Sequence, residues 1–151
     1  MAISEQPQPL FIDTGAFFAW VNTRAGRHET AQSVFDALRR EAIPYQPLFT
    51  SRYVLSELAT LTSRKINHKT AVDALQTIRC SGSFNILPVG EGVFAAACDK
   101  FERYDDQQIS FVDHMSAVLA REYEIEYIFT FGRDFMTLGL TRVPADSHFS
   151  E

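Results

Sequence analysis

The scarcities of this 151-residue chain exclude several classes of protein. Cysteine occurs only twice, at Cys80 and Cys98. Both fall in segments that read as helical, which suits a reducing cytoplasmic address better than a disulfide framework. Positive charge is short: 14 Lys and Arg against 19 Asp and Glu leave a formal net charge of −5. Such a chain does not hold nucleic acid by bulk electrostatics, although a local basic patch beside a metal stays open to it. No apolar run reaches membrane-spanning length, and no signal peptide is evident. There is no glycine-rich phosphate loop. His28, His68, His114 and His148 are scattered without the paired spacing of a zinc site. No internal repeat or low-complexity linker divides the chain.

What is abundant is material for a core: 46% hydrophobic residues and 13 Phe. One domain of this size buries roughly two-thirds of its unfolded surface. Residues 1–8 read as a loose polar segment, 9–145 as the domain and 146–151 as a tail. Leu10-Phe11-Ile12 is a short buried strand that ends on Asp13 and leads into a helix from Ala16 to Val21. A second helix covers His28 to Glu41. Pro44 and Pro47 frame a turn before a strand at Leu48-Phe49-Thr50. Arg52–Lys65 reads as a helix with Val54, Leu58 and Leu61 inward, and Thr70–Cys80 as another. Phe84–Leu87 is a third strand. Glu91–Tyr104 is helical, with Val93, Phe94, Ala97, Cys98 and Phe101 on one side. Ser110–Tyr123 is a further helix, Tyr127–Phe131 a fourth strand, and Leu140–Val143 a short fifth. Short strands alternating with helices predict a three-layer α/β/α sandwich with a mostly parallel central sheet.

Three acids lack a basic neighbour in this pattern. Asp13 ends a strand, where ligands of open α/β sheets collect; it is a helix cap, half of a distant ion pair, or a metal ligand. Glu57 lies beside the apolar stripe of its helix, and Tyr53, Val54, Thr60 and Leu61 are its helical neighbours. It must therefore be solvated, paired across the fold or bound to a cation. Asp113 stands at the third position of a helix that Ser110 caps, close to a capping box. A carboxylate held there can still turn an oxygen to a metal. Asp106 sits in a polar turn and reads as solvated.

Taken together, LFIDTGAFFAW, TSRYVLSELATL, YDDQQISFVDHMSAVLA and IFTFGRDF resemble the successive motifs of PIN-domain nucleases, most closely the VapC-type ribonuclease toxins of toxin–antitoxin pairs. The resemblance runs from Leu10 to about Phe135. It implies a Mg²⁺- or Mn²⁺-dependent phosphodiesterase, with Asp13, Glu57 and Asp113 matching the first three acidic positions as catalytic metal ligands. It also implies an RNA substrate, a small antitoxin partner and a homodimer, for which Phe17, Phe18 and Trp20 are candidate surface aromatics. The fourth motif departs from the family: Thr130-Phe131 is followed by Gly132 where an acid is expected, and Asp134 stands two residues further on as a substitute ligand. The alternative is a catalytically weak PIN fold that binds RNA or protein without cutting. Thr14 is a candidate to orient Asp13 or a water. Arg24, Arg27, Arg52, Arg64, Lys65 and Lys69 are candidates for RNA phosphates.

Overall fold

The computed structural model describes residues 6–105 and 108–144. Asp106 and His148 lie outside the described residues. In chain order the elements are β1 (Gln8–Ile12), α1 (Thr14–Val21), α2 (His28–Arg39), β2 (Tyr45–Ser51), α3 (Arg52–Lys65) and α4 (His68–Cys80). They continue with β3 (Phe84–Leu87), α5 (Glu91–Arg103), α6 (Phe111–Glu122), β4 (Tyr127–Phe129), α7 (Asp134–Thr137) and β5 (Thr141–Val143). The five strands form one sheet in the order β3-β2-β1-β4-β5, and every pairing is parallel.

Both faces of a parallel sheet must be covered, and the central strands show it: Leu10, Phe11, Ile12, Ile128 and Phe129 have no exposed surface. Right-handed crossovers assign α1–α4 to one face and the return through α5–α7 to the other. Within each face α1 packs on α2 and α3, α3 on α4, α5 on α6, and α6 on α7, while α3 and α6 also meet each other. The chain leaves β1 in one direction for β2 and β3, then comes back to place β4 on the other side of β1. The order therefore reverses between β1 and β4, and a crevice opens at their carboxyl ends.

Several sequence expectations change here. The second strand begins at Tyr45 and runs through Pro47, in place of the expected turn. The pairing advances two residues on β1 and three on β2 between Gln8↔Tyr45 and Leu10↔Leu48. Proline has no N–H to offer the ladder and is tolerated at such an irregularity. Gln8, expected to be loose, opens β1 and donates its N–H to the Pro44 carbonyl at 2.9 Å. The fourth strand stops at Phe129, so Thr130 and Phe131 belong to the turn beyond it. Phe17 is fully buried, and Phe18 and Trp20 pack against the core with it, Trp20 stacked 4.1 Å from Phe35. Phe17 is therefore core, and Phe18 and Trp20 are half-buried against it. The apolar stripe of α5 is instead largely exposed: Ala97 is buried, while Phe94 and Phe101 are 38% and 49% exposed.

Candidate active site

The three acids reach one place by three routes. Asp13 follows β1 directly, Glu57 lies in α3, the helix that follows β2, and Asp113 sits in the first turn of α6. All three line a cleft of about 620 Å³ at the carboxyl edge of the sheet, together with Thr14, Tyr53 and Arg64. Burial separates their roles. Asp13 is 7% exposed, and Glu57 and Asp113 are half-buried.

Asp13 occupies the N-cap position of α1, yet its side chain makes no capping hydrogen bond. Oδ2 instead accepts a hydrogen bond from the Thr130 hydroxyl at 2.8 Å, across the β1/β4 crevice. The Thr130 hydroxyl oxygen in turn accepts the Gly132 N–H at 3.0 Å. Oδ1 of Asp13 is buried with no hydrogen-bond partner among the described residues. Such an oxygen is costly unless something else satisfies it. In α6 the cap is Ser110, which accepts the Asp113 N–H at 3.1 Å, so the sequence reading of that helix start holds.

Electrostatics tie the acids together. Burial pushes the Asp13 carboxyl up to about 6; the Thr130 hydroxyl and, more weakly, the nearby backbone N–H groups of Thr14 and Gly15 oppose the shift, and Glu57 adds to it. Burial also pushes Asp113 up to about 7, helped by the charges of Asp13, Glu57 and Asp134. The cleft thus gathers like charges without enough local cations to balance them, as a cation-binding or catalytic site does. Among the described residues no three His, Cys, Asp or Glu side chains stand close enough to ligate one ion as they are. An all-oxygen donor set with a partnerless Asp13 Oδ1 suits a hard divalent cation such as Mg²⁺ or Mn²⁺.

The basic candidates divide. Arg64 lines the acidic cleft. Arg52 lines a neighbouring cavity of about 650 Å³ instead. Arg24 is exposed and lines neither cavity. Arg27 stacks over Phe131 at 5.2 Å, and Lys69 pairs with Asp73 at 3.0 Å. Asp134 opens α7, exposed, and is absent from the cleft wall, although its charge reaches Asp113. His114 is buried against Phe101 and Tyr104, where burial and then Lys100 push its pKa down. Sequence reasoning missed Thr130 as the partner of Asp13, because the two are 117 residues apart and meet only through sheet order.

The chain is an all-parallel α/β domain with acids from three elements gathered at the carboxyl edge of its sheet. Residues 10–139 match the PIN domain family, and the chain belongs to that family. It is 31% identical over 134 residues to the 23S rRNA-specific endonuclease VapC20 of Mycobacterium tuberculosis, covering 89% of this chain and 97% of that protein. The crystal structure of M. tuberculosis VapC20, a Sarcin-Ricin loop cleaving toxin, superposes with a TM-score of 0.78 at 30% identity, over 87% of this chain and 96% of that one. FitAcB from Neisseria gonorrhoeae (TM-score 0.64, 18% identity, 88% and 95% covered) shares the fold. So does VapBC2 from Rickettsia felis bound to a DNA fragment from their promoter (0.65, 14%, 89% and 97%).

Proposed function

We propose that this protein is a divalent-metal-dependent endoribonuclease that hydrolyses RNA phosphodiester bonds, acting as the toxin of a toxin–antitoxin pair. The observation that carries the proposal is the shared cleft of Asp13, Glu57 and Asp113, with one oxygen of Asp13 buried and without a partner. The likeness to an rRNA endonuclease over 89% of the chain supports the substrate class. The structural likeness to a toxin supports a small antitoxin as partner.

In this reading Asp13, Glu57 and Asp113 hold Mg²⁺ or Mn²⁺, with Asp134 as an additional donor. When bound, the cation supplies charge neutralisation at the phosphate and lowers the pKa of water. The chain's own groups do the rest. Thr130 holds Asp13 in one orientation, with Oδ1 left for the ligand. Arg64 offers its guanidinium to a phosphate oxygen from the cleft wall. Leu61 and Val112 add an apolar stretch to the cleft wall.

The experiment that tests the proposal is a Mn²⁺ titration by calorimetry alongside an RNA cleavage assay with and without chelator. Binding and chelator-sensitive cleavage are the expected results. The absence of both would favour the RNA- or protein-binding module. Gly132 is examined in the same titration. Its φ lies outside the left-handed region, and an added Cβ would meet only Thr130 Oγ1, at an ordinary 3.6 Å. Gly132→Asp is therefore tolerated by the backbone, and tighter Mn²⁺ binding with at least equal cleavage is expected. Asp134→Asn should weaken binding. Unchanged affinity in both variants would mean that three carboxylates suffice.

We also propose a homodimer, formed through α5 and not through the aromatics of α1. Phe94 and Phe101 pack edge-on against Phe111, 5.6 Å away in each case, and leave an apolar ridge exposed. Light scattering at micromolar concentration should report a dimer for the parent and a monomer for Phe101→Glu. A parent that stays monomeric would overturn it.

A further inference from the structure

A second cavity, beside the acidic cleft, carries the opposite charge in its lining. It measures about 650 Å³ and lies where α3, α4 and β3 meet. Its floor is apolar, from Leu55, Leu75 and Ile86, and two guanidiniums, Arg52 and Arg79, line it with no carboxylate. Among the described residues neither arginine forms an ion pair or side-chain hydrogen bond. In a chain of net charge −5, two unpaired cations around one groove are a local exception to the surplus of acid.

The position of Arg52 sharpens the point. It is the first residue of α3, immediately after the Ser51 cap. The helix dipole makes a cation unfavourable there, where an acid would be favoured. Arg79, in the last turn of α4, sits where the dipole welcomes a cation, so by itself it asks for no explanation. Helix stability accounts for one arginine of the pair and not for the other. Ser56 lines this groove and the acidic cleft alike, so the two cavities adjoin along about one turn of α3.

We propose that this groove is a subsite for single-stranded RNA running out of the acidic cleft, with Arg52 and Arg79 on a phosphate and a base against the apolar floor. The inference rests on the ribonuclease reading for its direction, since it names where the strand beside the scissile bond goes. An extended single strand offers a phosphate and an apolar ring face at each step, and this groove supplies the complement of both. An acidic peptide would match the arginines but brings no ring face to the apolar floor of Leu55, Leu75 and Ile86.

The test is binding of a labelled single-stranded RNA long enough to span both cavities, followed by fluorescence anisotropy with chelator present so that nothing is cleaved. Arg52→Gln and Arg79→Gln should each weaken binding by about threefold or more, and each should flatten the slope of log affinity against log salt by about 0.7. Arg39→Gln, on the exposed Arg39–Asp36 pair, should do neither. Arg52→Gln should not lower the melting temperature, because it removes a charge opposed by the dipole. RNA affinity and salt slope at parent values in both groove variants would overturn the proposal. So would loss of polyglutamate binding in those variants with RNA binding intact, which would mark a protein-docking site. Parent cleavage with Mn²⁺, assayed separately, reads the ribonuclease proposal: cleavage with unaltered groove variants sinks only the groove, and groove effects without cleavage sink only the enzyme.

Discussion

Asp13→Asn should reduce metal-dependent RNA cleavage to background and at the same time make the metal-free protein more stable above neutral pH. The side chain is nearly isosteric, and its oxygen can still accept the Thr130 hydroxyl that now bonds Oδ2. What is lost is a charge held in a site that resists it. Burial raises the Asp13 pKa from 3.8 to about 6. Because the folded-state value is the higher one, its contribution to stability is fully present below 3.8 and is lost as pH rises through about 6. Asp113 behaves in the same way, with the loss extending through about 7. The melting temperature of the metal-free parent should therefore fall between about pH 4 and pH 8. Neutralising Asp13 should restore on the order of 2 kcal/mol at pH 8, roughly 5 °C in a domain of this size. Thermal melts at pH 5 and pH 8, with and without Mn²⁺, check this. Mn²⁺ should raise the parent's melting temperature at pH 8, because only the folded state binds it, and should do far less for Asp13→Asn. A variant less stable than the parent at pH 8 would mean that the Asp13 charge already has a partner.

Thr130→Val should damage both stability and metal binding, although Thr130 belongs to none of the acidic positions. It is fully buried, and its hydroxyl both donates to Asp13 Oδ2 and accepts from the Gly132 N–H. Valine fills the space and leaves both groups without their partner, at a cost of about 1–3 kcal/mol. The Thr130 hydrogen bond is the main influence holding the Asp13 pKa down against burial, so its removal moves that pKa further above about 6. Protons then compete with the cation over a wider range. The pH of half-maximal Mn²⁺ binding should shift upward, and affinity or activity at neutral pH should fall by about 10- to 100-fold. Thr130→Ser keeps the hydroxyl and should restore the pH profile. A Val variant with the parent's profile would make Thr130 a packing residue only.

Local sequence determined the elements, and it did so where local physics suffices. Ser51, Asn67 and Ser110 each cap the helix that follows by accepting an N–H from the third residue onward, as their spacing requires. The apolar run Leu10–Ile12 is a fully buried strand because nothing polar interrupts it. The alternation of strands and helices limited the fold to a covered parallel sheet, and the family motifs put Asp13, Glu57 and Asp113 on one list. Tertiary structure decided what periodicity cannot express. Phe17 and Phe94 look alike in an apolar stripe, yet one is fully buried under α2 and the other stays 38% exposed. Arg52 and Arg64 lie three turns apart on one helix, and that rotation and rise place them in different cavities. The bond from Thr130 to Asp13 depends on β4 lying beside β1, a neighbour relation fixed by the order in which strands assemble. Sequence distance carries no trace of it.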